Sequence, residues 1–419
     1  MKRTISILCL LAFMAILTAD QSEAIPAFAR KYGFNCNMCH TSFTKLNDFG
    51  QRYRSQGYQI PGQVGGEKTA FEMALPIAFR TMTGLQAAHA QGHTTSGFVL
   101  NGLDLLAAGV MHKNISFLMI YTPRIDDPSA DYRGYDSAGP SQLGALESAN
   151  IVFSNLIPNV LNLRVGRFEP AYHMVSSKRS YYRLGSYEAY TVETPSNSFV
   201  FDNNQVGLEA TGHIQSGFSY ACGVVNGTGG NPDNNTYKDI YATLSKVIGR
   251  GEGQSAGQRF GVFGYLGWQP TVVPNDSAYI PLPEGDGRGN NEFHRIGGQA
   301  SLNWRTFSLQ GLFMQGQDNK AFNSISPDEK YTFTGGFIEL DYSGLWNNRL
   351  LVSGMYNWVT PPDYNGEAKV SSTSGLLRYY LGDWTAVNVA IHAEYTHRQI
   401  GDTDPVKEDY AALLLDFDF

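Results

Sequence analysis

The sequence is short of charge: only 16% of its 419 residues are Asp, Glu, Lys or Arg, against about 25% in ordinary soluble domains. Disordered chains are charge-rich and aromatic-poor, so disorder is excluded. Basic character is also lacking, with 31 Lys and Arg against 38 Asp and Glu and a net charge of −7. No basic surface therefore argues for a nucleic-acid partner. Long apolar runs are missing. Beyond the N-terminal leader none approaches the roughly 20 residues that a spanning helix needs, which excludes a polytopic helical membrane protein. Cysteine is scarce, at four residues. What the chain has in quantity is 45 Gly, 24 Tyr and 24 Phe, a composition that favours sheet over helix. The remaining class is a large all-β protein with an unusual surface.

Residues 1–24 read as a secretory signal peptide cleaved after Ala24. Lys2 and Arg3 supply the basic start, Ile5 to Leu17 an apolar stretch too short to span a bilayer, and Ser22-Glu23-Ala24 the small residues at the cleavage spacing. Cleavage removes Cys9 and leaves Cys36, Cys39 and Cys222. An odd number of thiols in an exported chain argues against a disulfide framework and for a dedicated use of the first pair.

From residue 71 to 419 one pattern repeats: ten or more residues with apolar side chains at alternate positions, then a turn. Ala411, Leu413, Leu415, Phe417 and Phe419 share one face, while Tyr410, Asp416 and Asp418 take the other. Period two means a strand with unlike faces. Roughly sixteen such segments occur, the first at 71–84 and the last at 406–419, an even number as bacterial outer-membrane barrels require. The connections 124–145, 169–203, 270–291 and 317–329 are long and polar; 111–113, 157–159, 215–216 and 382–383 are short. Long external loops and short periplasmic turns are the transmembrane-barrel signature. A soluble sandwich or propeller explains neither this alternation nor the strand length.

Residues 35–40 read Asn-Cys-Asn-Met-Cys-His. In C-x-x-C-H two thiols reach the vinyl groups of one haem and the adjacent His ligates its iron, so Cys36, Cys39 and His40 are the candidate haem c residues and His40 the candidate metal ligand. A structural zinc site needs four ligands, yet the next His is His89 and the next Cys is Cys222. A thioredoxin-type pair needs a βαβ context. A plain disulfide leaves His40 unexplained. Phe43, Leu46, Phe49 and Tyr53 follow at helical spacing, which predicts an amphipathic helix over 41–56. Residues 25–70 are too few to enclose a haem alone, whereas a barrel of about sixteen strands leaves a lumen wide enough to hold them. The expectation is a signal peptide (1–24), a monohaem c-type plug (25–70) and a porin-like outer-membrane barrel (71–419).

With Phe28 to Phe34 before the motif, the C-x-x-C-H itself, Leu46 to Tyr58 (LNDFGQRYRSQGY) after it and the barrel beyond, the chain resembles the fused monohaem cytochrome–porin family, the outer-membrane iron oxidases. The resemblance implies an electron-transfer oxidoreductase of the outer membrane, with extracellular Fe(II) or another external donor on one side and a periplasmic c-type cytochrome on the other. The competing expectation is a porin-type diffusion channel whose haem-bearing segment is a plug or sensor.

A six-coordinate haem takes a second axial group, usually Met or His. Alternation puts Met82, His213, Met314, Met355 and His392 on the lumen face. His89, His93 and His173 fall in external loops, as do the acidic residues Asp126, Asp127, Asp131, Asp136, Asp233, Glu284 and Asp286, which read as solvated loop charge. Cys222 shares a lipid-facing row with Tyr220 and Val224, as an inert apolar residue would.

Overall fold

The computed structural model describes the chain from residue 31 onward, apart from residues 43, 71–76, 124–144, 173, 186, 215, 250–256, 271–289, 363–368, 382–387, 403 and 419. The signal-peptide expectation, Phe43, His173, Asp126, Asp127, Asp131, Asp136, Glu284, Asp286 and Phe419 lie outside the described residues.

After helical residues 31–32, the described residues form a 3-10 turn at Cys36–Met38, a short hairpin of β1 (His40–Ser42) and β2 (Lys45–Leu46), and helix α1 (Asp48–Ser55). Sixteen long strands follow: β3 (Ile77–Ala90), β4 (His93–His112), β5 (Ile115–Thr122), β6 (Ala145–Ile157), β7 (Leu161–Phe168), β8 (Gln205–His213), β9 (Phe218–Val225) and β10 (Asp239–Ile248). The circuit continues with β11 (Gln258–Pro270), β12 (Asn290–Trp304), β13 (Phe307–Asp318), β14 (Tyr331–Leu345), β15 (Leu350–Thr360), β16 (Val370–Tyr380), β17 (Asn388–Ile400) and β18 (Val406–Asp418). Each pairs antiparallel with its sequence neighbours, and β18 returns to β3 with Leu413 opposite Leu85, closing the barrel. The expected all-β fold of about sixteen antiparallel strands is the fold observed.

Burial follows the alternation. Along β14, Phe337, Glu339 and Asp341 are buried while Ile338 and Leu340 are about half exposed on the outer wall. Val262, Phe313 and Leu413 continue that apolar exterior. Aromatic side chains gather at both rims, with Trp304, Phe307 and Tyr342 stacked at the short-turn end and Tyr356 with Trp358 at the other. This is the belt-and-girdle exterior of a transmembrane barrel. Cys222 lies exposed on the same outer face.

Two expectations need correction. The helix is Asp48–Ser55, not 41–56. Residues 40–42 and 45–46 instead pair as the β1–β2 hairpin, with His40 opposite Leu46. Asn47 ends that hairpin in extended conformation and its side chain accepts from Gly50 N, so a strong N-cap residue starts the helix at Asp48 rather than seven residues earlier. The first barrel strand is also displaced: it runs to Ala90 and turns at Gln91 and Gly92, both with positive φ (49° and 78°). This is the two-residue hairpin geometry that matches strand twist. His89 and His93 are therefore strand residues at the outer rim, not loop residues. The small side chains of Ala87, Ala88, Ser96 and Gly97 give too faint an alternation to read as strand.

Candidate functional site

Residues 45–57 lie inside the barrel. Lys45 Nζ donates to Glu339 Oε1 (2.6 Å) and Asp341 Oδ2 (2.7 Å) on β14. Arg259 of β11 bonds Asp48 (2.6 Å), and Ser55 Oγ meets His213 Nε2 of β8 (2.5 Å). Ser154 Oγ of β6 donates to the Gln56 carbonyl (2.9 Å), and Gly57 stands against Ser116 of β5. Strands β5 and β14 are on opposite sides of the circuit, so the segment crosses the lumen. Its contacts on β5, β6, β8 and β14 cluster near the short-turn ends, which places it in the periplasmic half.

The long connection between β7 and β8 folds inward beside it. Thr44 Oγ1 donates to the Arg179 carbonyl (2.7 Å), and Glu169 accepts from both Arg54 and Arg179 (2.7 Å each). Further along, Glu394 of β17 accepts the backbone N–H groups of Arg183, Leu184 and Gly185 (2.7–2.8 Å), and Tyr187 donates to Glu339 (2.7 Å). Around this connection the lumen is packed with rings. Tyr187 stacks on Phe337 (4.1 Å between centroids), Tyr172 on Phe201 (4.4 Å), and Phe199 lies against Tyr265 (4.5 Å). Cys36 is buried in the same cluster.

The C-x-x-C-H segment is held by its own neighbours. Cys39 N–H donates to the Cys36 carbonyl (3.2 Å), closing the 3-10 turn. Asn47 braces it from the far side: its N–H reaches the Cys39 carbonyl (2.9 Å), and its side chain donates to the carbonyls of Asn37 (3.2 Å) and Met38 (3.0 Å). Cys39 and Cys222 are free thiols. Met38 turns outward and is 41% exposed. Tyr32, Phe34, Phe49, Tyr53 and Tyr58 form one run of ring contacts, with centroids 5.0–6.4 Å apart. Tyr32 and Tyr53 lie near Cys39. Burial pushes the Cys39 thiol up to about 12, helped by Cys36. Burial likewise pushes His40 down to about 4, although backbone groups of Thr44 and Lys45 hydrogen-bond the ring.

This donor set fits a c-type haem. Two cysteine sulfurs stand at the C-x-x-C spacing. The imidazole is neutral at pH 7, the form that binds iron. An aromatic wall supplies apolar cover.

The five candidate distal residues do face the lumen. Met82 (2%), Met314 (0%), Met355 (2%) and His392 (0%) are all buried. His213 has both ring nitrogens engaged, Nε2 by Ser55 and Nδ1 by Ser219 (2.8 Å). His392 Nε2 is bound to Glu394 (2.9 Å). Met355 packs where a side chain on Gly185 would be. Asp233 pairs with Lys238. Sequence reading missed Asn47, Gly50, Lys45 and Glu169. Of these only Asn47-Asp48, a helix-start pair, carried a local signal.

No protein-family model matches the chain, and no curated protein matches it in sequence. Solved structures do. The anion-selective porin from Comamonas acidovorans aligns with a TM-score of 0.56 at 12% identity, over 82% of this chain and 99% of the porin. The outer membrane channel DcaP of Acinetobacter baumannii gives 0.55 at 8% identity, over 82% and 96%. Salmonella typhi OmpF, in a complex with daunomycin, gives 0.53 at 12% identity, over 82% and 97%. At these identities the likeness is one of fold, and the fold is that of a porin-like outer-membrane β-barrel.

Proposed function

We propose that the chain is a plugged outer-membrane barrel that moves electrons rather than solutes, with one covalent haem c held by Cys36, Cys39 and His40. The observation that carries this reading is the placement of the C-x-x-C-H segment within the lumen, between a polar anchor that spans the barrel and a packed aromatic cluster. Cys36 and Cys39 would fix the group by their sulfurs, and His40 would ligate the iron. When bound, the haem supplies a one-electron iron couple. The chain's own residues do the rest. Asn47 holds the thiol loop, Tyr32, Phe34, Phe49 and Tyr53 exclude water, and Lys45, Asp48 and Arg54 fasten the segment to the wall. Extracellular Fe(II) as donor and a periplasmic c-type cytochrome as acceptor rest on the family resemblance.

A second reading is a porin-type diffusion channel in which the haem-bearing segment is a plug or sensor. The structural neighbours, porins and channels, favour this alternative over the conduit. The filled lumen favours the conduit. Visible spectra of the purified full-length protein before and after Fe(II), together with planar-bilayer conductance, separate the two. The conduit requires a haem c spectrum that Fe(II) reduces and negligible conductance. An open-pore conductance in haem-loaded protein that Fe(II) leaves oxidised would establish the channel instead.

A further inference from the structure

Beside α1 the plug and the wall line a partly open cavity of about 80 Å³, bounded by Arg54, Ser55, Arg164, Glu209, His213 and Arg259 among others. At roughly 10–15 Å³ of such space per water, it has room for several waters or for one small oxyanion. Its charges do not balance. Arg164 pairs with Glu209. Glu169 is shared by Arg54 and Arg179 (2.7 Å each), and Asp48 by Arg259 (2.6 Å) and Arg52 (3.1 Å). Three guanidiniums and one carboxylate, Glu209, line the cavity itself; Glu169 and Asp48 lie outside the lining, each shared with a further arginine. Most of these side chains are withdrawn from water: Arg164, Arg259 and Arg54 keep 11%, 12% and 16% of their side-chain exposure.

Arg164 adds an independent sign. The residue is only 9% exposed. It donates from one terminal nitrogen to Glu209 and to the Glu169 carbonyl (2.9 Å), and its guanidinium lies over the Phe168 ring at 4.5 Å. Its Nε–H is buried with no hydrogen-bond partner. A buried charged donor left unmatched is costly, and a planar guanidinium fork is the group best shaped to hold a tetrahedral or carboxylate anion. Ser55, Thr211, Ser219 and Ser245 supply neutral hydroxyls to the same space.

We infer that this cavity is a binding site for a small oxyanion carrying two negative charges, seated on Arg54, Arg164 and Arg259. The chemistry has two sources, a free anion such as hydrogen phosphate or the paired carboxylates of the covalent haem. The free-anion source goes beyond the proposed function and stands without it; the haem-carboxylate source rests on that reading.

The test is equilibrium dialysis of full-length, detergent-purified protein against labelled inorganic phosphate, with the heat-modifiable gel shift confirming a folded barrel in every sample. Binding near one phosphate per chain, weakened about tenfold or more in Arg164→Gln and in Arg259→Gln, supports a free-anion site. Binding that appears only in the Cys36→Ala/Cys39→Ala protein, and that the same arginine variants remove, supports occupancy by the cofactor's own carboxylates. Phosphate binding that is absent from both proteins, or present but indifferent to both arginine changes, overturns the site and leaves a water-filled cavity. Arg259→Lys, which keeps the charge, should retain more affinity than Arg259→Gln if a fold defect is not the cause. Haem staining of the cysteine variant reads the haem assignment separately from the phosphate result.

Discussion

Gly50 stands so close to the Cys39 carbonyl that a Cβ at this position would lie 2.2 Å from the oxygen. The obstacle is backbone, part of the turn that presents both thiols, and it cannot swing aside as a flexible side chain would. Gly50→Ala must therefore push α1 off the C-x-x-C-H loop. Overpacking of this kind costs about 1–3 kcal/mol. The expected outcome is a normal barrel by gel shift with reduced haem staining and faster trypsin cleavage in the 31–70 segment. A variant that stains and resists trypsin as the parent does would show that the contact does not matter.

Lys45 carries a second prediction. Burial works against its charge, but Asp341 and Glu339 outweigh that and hold its pKa above the ordinary lysine value. Lys45→Met removes the cation and leaves two buried carboxylates facing each other. Breaking a buried ion pair from one side costs about 3–5 kcal/mol, whereas replacing all its members can be close to neutral. Protease release of the plug should thus be marked in Lys45→Met and largely reversed when Glu339→Gln and Asp341→Asn are added. Equal release in the single and triple variants would mean that the anchor is not electrostatic.

Cys39 gives a prediction in pH. Its thiol is pushed up to about 12 from an ordinary 9.0, and only the thiolate reacts. Between pH 7 and 9 the folded, haem-free chain should hold roughly a thousandfold less thiolate at Cys39 than a free cysteine would. Alkylation there should be slow and should still be accelerating above pH 9. Mass mapping after timed alkylation checks this, and an ordinary rate at pH 8 in folded protein would refute the burial.

The barrel was legible because its code is local. Alternation along a strand needs no knowledge of the partner, and β18 begins at residue 406, where period two puts it. The C-x-x-C-H motif was equally local. The anchors of the plug were not, because each joins residues more than a hundred positions apart: Lys45 to Glu339, Asp48 to Arg259, Arg54 to Glu169. No spacing rule connects such pairs. The helix start is misplaced for the opposite reason: Phe43, Leu46, Phe49 and Tyr53 keep helical spacing across Asn47, and that apolar pattern does not show its capping role. Asn47 decides the matter in the fold because it satisfies both the helix and the thiol loop.

His40 yields the last prediction. Burial holds its folded pKa near 4, against an ordinary 6.5. Above pH 6.5 the ring is neutral in both the docked and the released plug, and it makes docking no less favourable. As pH falls below 6.5 the released ring takes up a proton that the docked ring refuses, so docking weakens until about pH 4. The full loss is up to about 3 kcal/mol at 1.36 kcal/mol per unit. The measurement uses the haem-free Cys36→Ala/Cys39→Ala protein, so that no iron occupies the ring. Exchange protection of residues 31–70 should decline between pH 6.5 and 4 while the barrel strands stay protected. In a His40→Gln background, which cannot titrate, this part of the decline should disappear. The same decline in both backgrounds would assign the pH response to another group and remove His40 from the account.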